Sequence, residues 1–248
     1  MKNLVILQAR MGSSRLPGKV LRKINGRPMI EWQIRRIQKS GVEKIVLATS
    51  DDEIDDELSI VVGKLGIEVF RGSPTDVHSR FVRILEAHNP DYFIRLTGDC
   101  PVVMPDLINR MVTEFELWKL DYLSNTNPPS FPDGLDIEVI STKPFLEFSK
   151  CDLTDEEKEH VTIFMRKSSN QLKSKNFESK KDYSRKRWTV DYEEDFNFIK
   201  NIFHYFAGSE TIITMNDILQ AIDSKSVPDN LISYKYRNIA LEKGIEFE

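Results

Sequence analysis

Four short apolar runs, at residues 4–9, 44–49, 67–70 and 92–96, are separated by stretches of helical periodicity at 29–39, 54–65 and 77–88. Runs this short, each ending in polar or small residues, read as buried strands. Strand–helix–strand alternation predicts a mostly parallel central sheet covered by helices on both faces, an α/β chain of three layers, α/β/α and Rossmann-like. Open sheets of this kind bind ligands beyond the carboxyl ends of their strands. A chain of 248 residues can bury a full core as one domain spanning residues 1–248.

The pattern changes after the fourth strand. Residues 105–118 read as a helix with Pro105 and Asp106 in its first turn. Residues 124–134, rich in Asn, Pro and Ser, read as a loop, 136–140 as a strand, and 155–167 as a helix capped by Thr154. The polar, basic stretch 168–187 has weak strand character at 171–177, and 188–191 reads as a late core strand. Helices are expected at 193–206 and 215–224, and 231–248 as a packed tail. Residues 124–187 are therefore expected to form an excursion over a substrate site, with a subunit contact as its second candidate role.

The first apolar run opens into Gln8-Ala9-Arg10-Met11-Gly12-Ser13-Ser14-Arg15-Leu16-Pro17-Gly18-Lys19. Glycine lets backbone N–H groups approach a ligand, and Arg10, Arg15 and Lys19 add charge-assisted hydrogen bonds, a combination suited to a triphosphate. The P-loop of NTPases is excluded, because five residues separate Gly12 from Gly18 and Val20 follows Lys19; no G-x-G-x-x-G is present either. An ordinary surface turn with solvated charges is the competing interpretation of the composition alone.

The order of residues resembles the cytidylyltransferases that activate acidic sugars, the group of CMP-Kdo synthetases and spore-coat polysaccharide protein F-like enzymes. Those open with "A-R-x-x-S-x-R-L-P-G-K" after a strand and continue with "G-x-P-M-I", here Gly26-Arg27-Pro28-Met29-Ile30. The resemblance covers most of the chain and is strongest over 1–105 and 188–200. It implies a nucleotidyltransferase fold, CTP as nucleotide, a homodimer, and transfer of CMP to an acidic sugar of the Kdo or nonulosonic type for surface polysaccharide, with pyrophosphate released. It leaves two alternatives open: a sugar 1-phosphate or polyol phosphate acceptor with CTP or another NTP, and a non-catalytic nucleotide-binding or glycosyltransferase-like protein.

Thr97-Gly98-Asp99-Cys100-Pro101 follows the fourth run, so Asp99 stands just past a strand end. A carboxylate there can hold a hard cation against phosphate oxygens, or cap the next helix. The resemblance identifies "G-D-x-P" as a metal motif. It pairs the motif with "V-D-x-x-x-D", here Val190-Asp191-Tyr192-Glu193-Glu194-Asp195, which implies Mg²⁺ held by Asp99 and Asp191. Asp195 would complement the dipole of the helix it starts. Where CMP-Kdo synthetases carry Gln before "G-D", this chain has Thr97.

The segment Arg71–Arg80 resembles the part that closes over the base. Arg71, Ser73, Asp76 and Arg80 are candidate nucleotide contacts alongside Gln8, Ala9, Arg10, Gly12, Ser13, Arg15, Lys19, Arg95 and Thr97; Thr75 or Asp76 can equally serve as a helix cap. On the sugar side, the resemblance points to Asp133, Gly134, Asp136 and Glu138. Strand alternation puts Asp136 and Glu138 on one face. Glu159-His160-Val161-Thr162 matches an "E-H-V-T" stretch of the spore-coat type, and His160 would bind the acceptor or assist proton removal, or else be a helix-surface residue. Arg185 and Arg187 would engage a substrate carboxylate, or be solvated.

The formal net charge of −4 gives no reason to expect nucleic acid as a partner. No apolar run approaches the ~20 residues that span a bilayer, and Arg10 and Arg15 interrupt any signal-peptide core, so a cytoplasmic location without membrane attachment is expected. Cys100 and Cys151 form no C-x-x-C, and His78, His88, His160 and His204 have no zinc spacing.

Overall fold

The computed structural model describes residues 1–166 and 171–231. In chain order the elements are β1 (Asn3–Gln8), β2 (Lys23–Ile24), β3 (Arg27–Pro28), α1 (Met29–Ile37), β4 (Ile45–Ser50), α2 (Asp56–Lys64), β5 (Glu68–Gly72), α3 (Val77–His88) and β6 (Tyr92–Thr97). They are followed by α4 (Pro105–Trp118), β7 (Tyr122–Ser124), β8 (Glu138–Ser141), α5 (Thr142–Phe148), α6 (Asp155–Glu159), β9 (Ser174–Asn176), α7 (Glu193–Tyr205) and α8 (Met215–Asp223). Seven strands form one sheet in the order β5-β4-β1-β6-β8-β7-β9. β1 pairs in parallel with β4 and β6, as do β4 with β5 and β7 with β9; β8 runs antiparallel to β6 and β7. The mostly parallel α/β sheet expected from the alternation is present.

Period-two alternation along β1 builds the layers. Val5 and Leu7 join one buried cluster with residues of α1, α2, α4, α7 and α8, while Leu4 and Ile6 join another with α3 and α5. No helix among the described residues is long and apolar enough to cross a membrane.

Several elements differ from the sequence expectation. β7 and α5 were not foreseen. β8 and β9 belong to the main sheet, so the excursion returns to it twice, and α5 packs on the sheet face that carries Leu4 and Ile6. The helix expected at 155–167 stops at Glu159. His160 leaves helical geometry, and a 3-10 turn follows at Ile163–Arg166; residue 167 lies outside the described residues. Residues 188–190 are buried and Asp191 is partly exposed, and the stretch forms no strand. Their N–H groups go singly to scattered carbonyls, Trp188 to Asp133 (2.6 Å) and Val190 to Asp99 (2.9 Å), rather than to a ladder. Most of the tail expected at 231–248 also lies outside the described residues.

Two glycines permit the backbone crossings that assemble the site. A side chain at Gly98 would put its Cβ 2.6 Å from that of Ala9, so glycine lets the loops after β1 and β6 cross. Gly134, at φ +104°, packs directly on the backbone of Trp188 and Thr189.

Candidate active site

β1 and β6 end side by side, Gln8 opposite Thr97, which brings the loop after each strand to one point. Two adjoining cavities open there. One, of about 280 Å³, is lined by Gln8, Ala9, Arg10, Gly12, Ser13, Ser14, Arg15, Lys19 and Arg80. The other, of about 340 Å³, lies under the excursion and is lined by Asp133, Asp136, Glu138, Arg166 and Arg187, with Cys100, Thr126 and Thr189. Arg15, Arg95, Thr97, Asp99, His160 and Asp191 line both and form the wall between them.

Asp99 and Asp191 converge on one ammonium group. Lys19 Nζ stands 2.9 Å from Asp191 Oδ1 and 3.4 Å from Asp99 Oδ2, and donates to the Val190 carbonyl at 2.6 Å. Burial alone would lower the Lys19 pKa, but the two carboxylates raise it above its ordinary value. Burial opposes ionisation of Asp99, yet Lys19, the Thr97 hydroxyl (2.6 Å) and the Cys100 thiol hold its carboxyl below the usual range. Arg15 also reaches Asp191, at 3.0 Å.

No group of three or more His, Cys, Asp or Glu side chains is placed to hold a metal among the described residues. Two carboxylates converging on one cation position nevertheless fit Mg²⁺, which usually takes one or two carboxylates and completes its shell with water and phosphate oxygens.

Behind Asp191 lies a buried network. Arg187 donates to Asp195 (2.9 and 3.0 Å), Asp133 (3.0 Å) and Asp191 (3.0 Å). Burial would weaken its hold on the proton, but the three carboxylates reverse that and push its pKa up. Asp195 also accepts the N–H groups of Asp191 and Tyr192, which fixes the turn that presents Asp191. A second network lies below the excursion-side cavity. Glu138, 3% exposed, accepts from Arg95 (2.5 Å), Arg166 (2.9 Å) and Tyr122 (2.5 Å). Burial alone would raise its carboxyl, but Arg166 and Arg95 hold it well below the usual range.

The expected nucleotide residues are thus brought together, with exceptions. Arg71 turns away to the carbonyls of Ser50 (3.0 Å) and Asp52 (2.8 Å) and to Asp56. Ser73 accepts the N–H of Asp76, and Asp76 caps α3 through Ser79 N–H (2.9 Å); none of these three lines either cavity. Lys19 faces carboxylates rather than the open loop. On the sugar side, Gly134 serves backbone packing, and Glu138 has both oxygens engaged within the protein. Arg185 lines neither cavity. Arg166 was not foreseen. The available signal was a charge within the apolar periodic stretch Val161-Thr162-Ile163-Phe164-Met165-Arg166.

A cytidylyltransferase family profile matches residues 4–212. The chain is 34% identical over 228 residues to the spore coat polysaccharide biosynthesis protein SpsF of Bacillus subtilis (strain 168), covering 89% of this chain and 93% of that one. It is 35% identical over 149 residues to the 3-deoxy-manno-octulosonate cytidylyltransferase 2 of Hydrogenovibrio crunogenus, 58% of each chain. Among solved structures, a cytidylyltransferase from Leptospira borgpetersenii serovar Hardjo-bovis superposes with a TM-score of 0.86 at 28% identity, covering 91% of this chain and 95% of that one. A CMP:2-keto-3-deoxy-manno-octonic acid synthetase complexed with CTP shares the fold, with a TM-score of 0.64 at 19% identity over 83% of this chain and 99% of that one.

Proposed function

The chain belongs to the cytidylyltransferase family and is a nucleotidyltransferase, and we propose that it transfers CMP from CTP to an acidic sugar of the Kdo or nonulosonic type, releasing pyrophosphate, for surface polysaccharide. One observation carries this: a cavity floored by the phosphate loop and a cavity under the excursion share a wall containing Arg15, Arg95, His160 and both strand-end carboxylates. A nucleotide on one side and an acceptor on the other would meet at that wall.

In this scheme Arg10, Arg15 and the loop N–H groups bind the triphosphate, and Arg95 and Arg80 orient the rest of the nucleotide. Charge that develops on the phosphate oxygens and the leaving pyrophosphate is stabilised by these fixed donors. Asp99 and Asp191 would hold a divalent metal, Mg²⁺ by the oxygen chemistry of the pair, which when bound supplies Lewis-acid stabilisation and lowers the acceptor hydroxyl's pKa. Thr97 orients Asp99, and Arg187 and Asp195 orient Asp191. The excursion, with Asp133, Asp136, His160 and Arg166, receives the sugar. A homodimer is the assembly we expect, as symmetric pairs are the commonest.

The test is pyrophosphate release, with CTP, GTP, UTP and ATP each paired with keto-sugar acids and sugar phosphates in the presence of Mg²⁺. Release with CTP and a sugar acid alone is the expected outcome. Release with a sugar phosphate or another nucleotide would reassign the substrates, and tight CTP binding with no release for any acceptor would overturn the catalytic role.

A further inference from the structure

The phosphate loop is closed at its base by one residue's backbone. The Met11 carbonyl accepts from Ser13 N–H (2.8 Å) and Gly18 N–H (3.0 Å), so the loop returns to where it began. The Met11 N–H donates to Asp55 Oδ1 at 2.6 Å. Asp55 lies on the 3-10 turn Glu53–Asp55 after β4 and is 0% exposed. Its Oδ2 accepts from the Ser50 N–H (3.1 Å) and the Ser50 hydroxyl. One buried carboxylate therefore ties the end of β4 to the base of the loop that follows β1.

That closure decides what the loop can offer a ligand. The N–H groups of Gly12, Ser14 and Arg15 have no acceptor among the described residues, while those of Ser13 and Gly18 are consumed at the base. Arg80, 2% exposed and lining the same cavity, has its Nη2 without a partner. Asp55 is among the charges that act on its guanidinium. Successive free N–H groups beside unspent guanidinium donors form an anion-binding concavity only if the loop is held at the right height over the strand ends.

We propose that Asp55 is a positioning residue for triphosphate binding: through the Met11 N–H it fixes the phosphate loop so that its free N–H groups, Arg10 and Arg80 face one polyanion. Asp55 is buried behind the loop and touches no ligand. A bare carboxylate near a polyanion would oppose binding, but the three donors from Met11 and Ser50 neutralise much of that field. An Ala at this position removes the acceptor of the Met11 N–H and of the Ser50 N–H together, so nothing ties the loop base to the end of β4. The proposal rests on the phosphate-loop part of the proposed function and is independent of base and sugar.

The probes are inorganic tripolyphosphate and CTP, titrated calorimetrically into wild type and Asp55→Ala, with circular dichroism and melting temperature as the fold control. Both affinities should fall by the same factor, about tenfold or more for one charge-assisted bond, with native spectra retained. Unchanged tripolyphosphate affinity in a folded variant overturns the proposal; a lower melting temperature with unchanged affinity would show a purely structural role. If the variant does not fold, amide exchange on wild type decides. The Met11 N–H should be protected without ligand, and those of Gly12, Ser14 and Arg15 only with tripolyphosphate; an unprotected Met11 amide overturns it. No tripolyphosphate binding by wild type overturns the phosphate-loop reading and Asp55's role together, whereas binding without preference for CTP among nucleotides overturns only the base assignment.

Discussion

Gly134→Ala should damage stability and chemistry together, and the structure sets the size of the effect. Gly134 sits at φ +104°, and an added Cβ would lie 2.4 Å from Thr189 N, 2.5 Å from the Trp188 carbonyl carbon and 2.8 Å from its oxygen. All three are backbone atoms and cannot rotate away. A left-handed backbone costs a non-glycine residue about 1–2 kcal/mol, and forcing extra volume into a packed site costs about 1–3 more. The sum, about 2–5 kcal/mol, is a large part of an ordinary domain's 5–15. Relief requires the 188–189 peptide to retreat by 1.0 Å, the difference between 3.4 Å, where ordinary contact begins, and 2.4 Å. That peptide leads into Asp191, and a misplacement of about 1 Å near reacting groups costs about 10²-fold in rate. Urea denaturation should show the stability loss, and pyrophosphate release under conditions where the variant is folded should show the rate loss. Gly63→Ala is the control. Gly63 is in α2 with no atom within 4 Å of a new Cβ, so that change should stabilise by up to about 1 kcal/mol. A Gly134→Ala protein within about 1 kcal/mol of wild type, or one turning over at the wild-type rate, would refute the claim that this crossing places Asp191.

Asp99→Asn should lower kcat by about 10²–10³ with little change in melting temperature, since the site loses charge rather than packing; near-normal turnover would remove Asp99 from the chemistry. Lys19→Met should raise Mn²⁺ affinity in the absence of nucleotide by at least about tenfold, followed by electron paramagnetic resonance, because a unit charge about 4 Å away near a protein surface is worth about 4 kcal/mol; an unchanged Mn²⁺ affinity would show that Asp99 and Asp191 do not form a cation site. Glu138→Gln should cost about 3–5 kcal/mol at pH 7 by leaving Arg95 and Arg166 without their shared counter-charge. The pH dependence carries a sign as well. The folded carboxyl of Glu138 is held below its unfolded value of 4.5, so its stabilisation is present above about pH 4.5 and is lost as pH falls toward the folded value. The wild-type stability curve should therefore fall more steeply below pH 4.5 than that of Glu138→Gln, and parallel curves would contradict the assignment.

What was legible in the sequence was what neighbours in the chain determine. The strand–helix alternation marked the parallel strands β1, β4, β5 and β6 but not the other three strands of the sheet, α3 and α4 have the expected bounds, and the order of glycine, serine and cations marked the loop after β1. Residues 188–191 read as a strand because Trp188 and Val190 are apolar and alternate with polar residues, but those two are buried by crossing the loops at Asp133–Gly134 and Asp99 rather than by strand pairing. Asp55 stands in the acidic run Asp51-Asp52-Glu53-Ile54-Asp55-Asp56, where nothing local marks it as the one wholly buried carboxylate. The harder distinction was between charges that meet a ligand and charges that hold those charges in place. Sequence adjacency put Arg71 with Arg80 and Glu138 with Asp136. The fold separates them by where their polar atoms find partners: Arg71 and Glu138 are engaged inside the protein, as are Arg187 and Asp195. Arg80 Nη2 and Arg95 Nε are buried in the cavity-lining residues with no protein partner. Arg80 and Arg95 both line the loop-side cavity, and the charge they add to its wall suits an anionic ligand such as a nucleoside triphosphate.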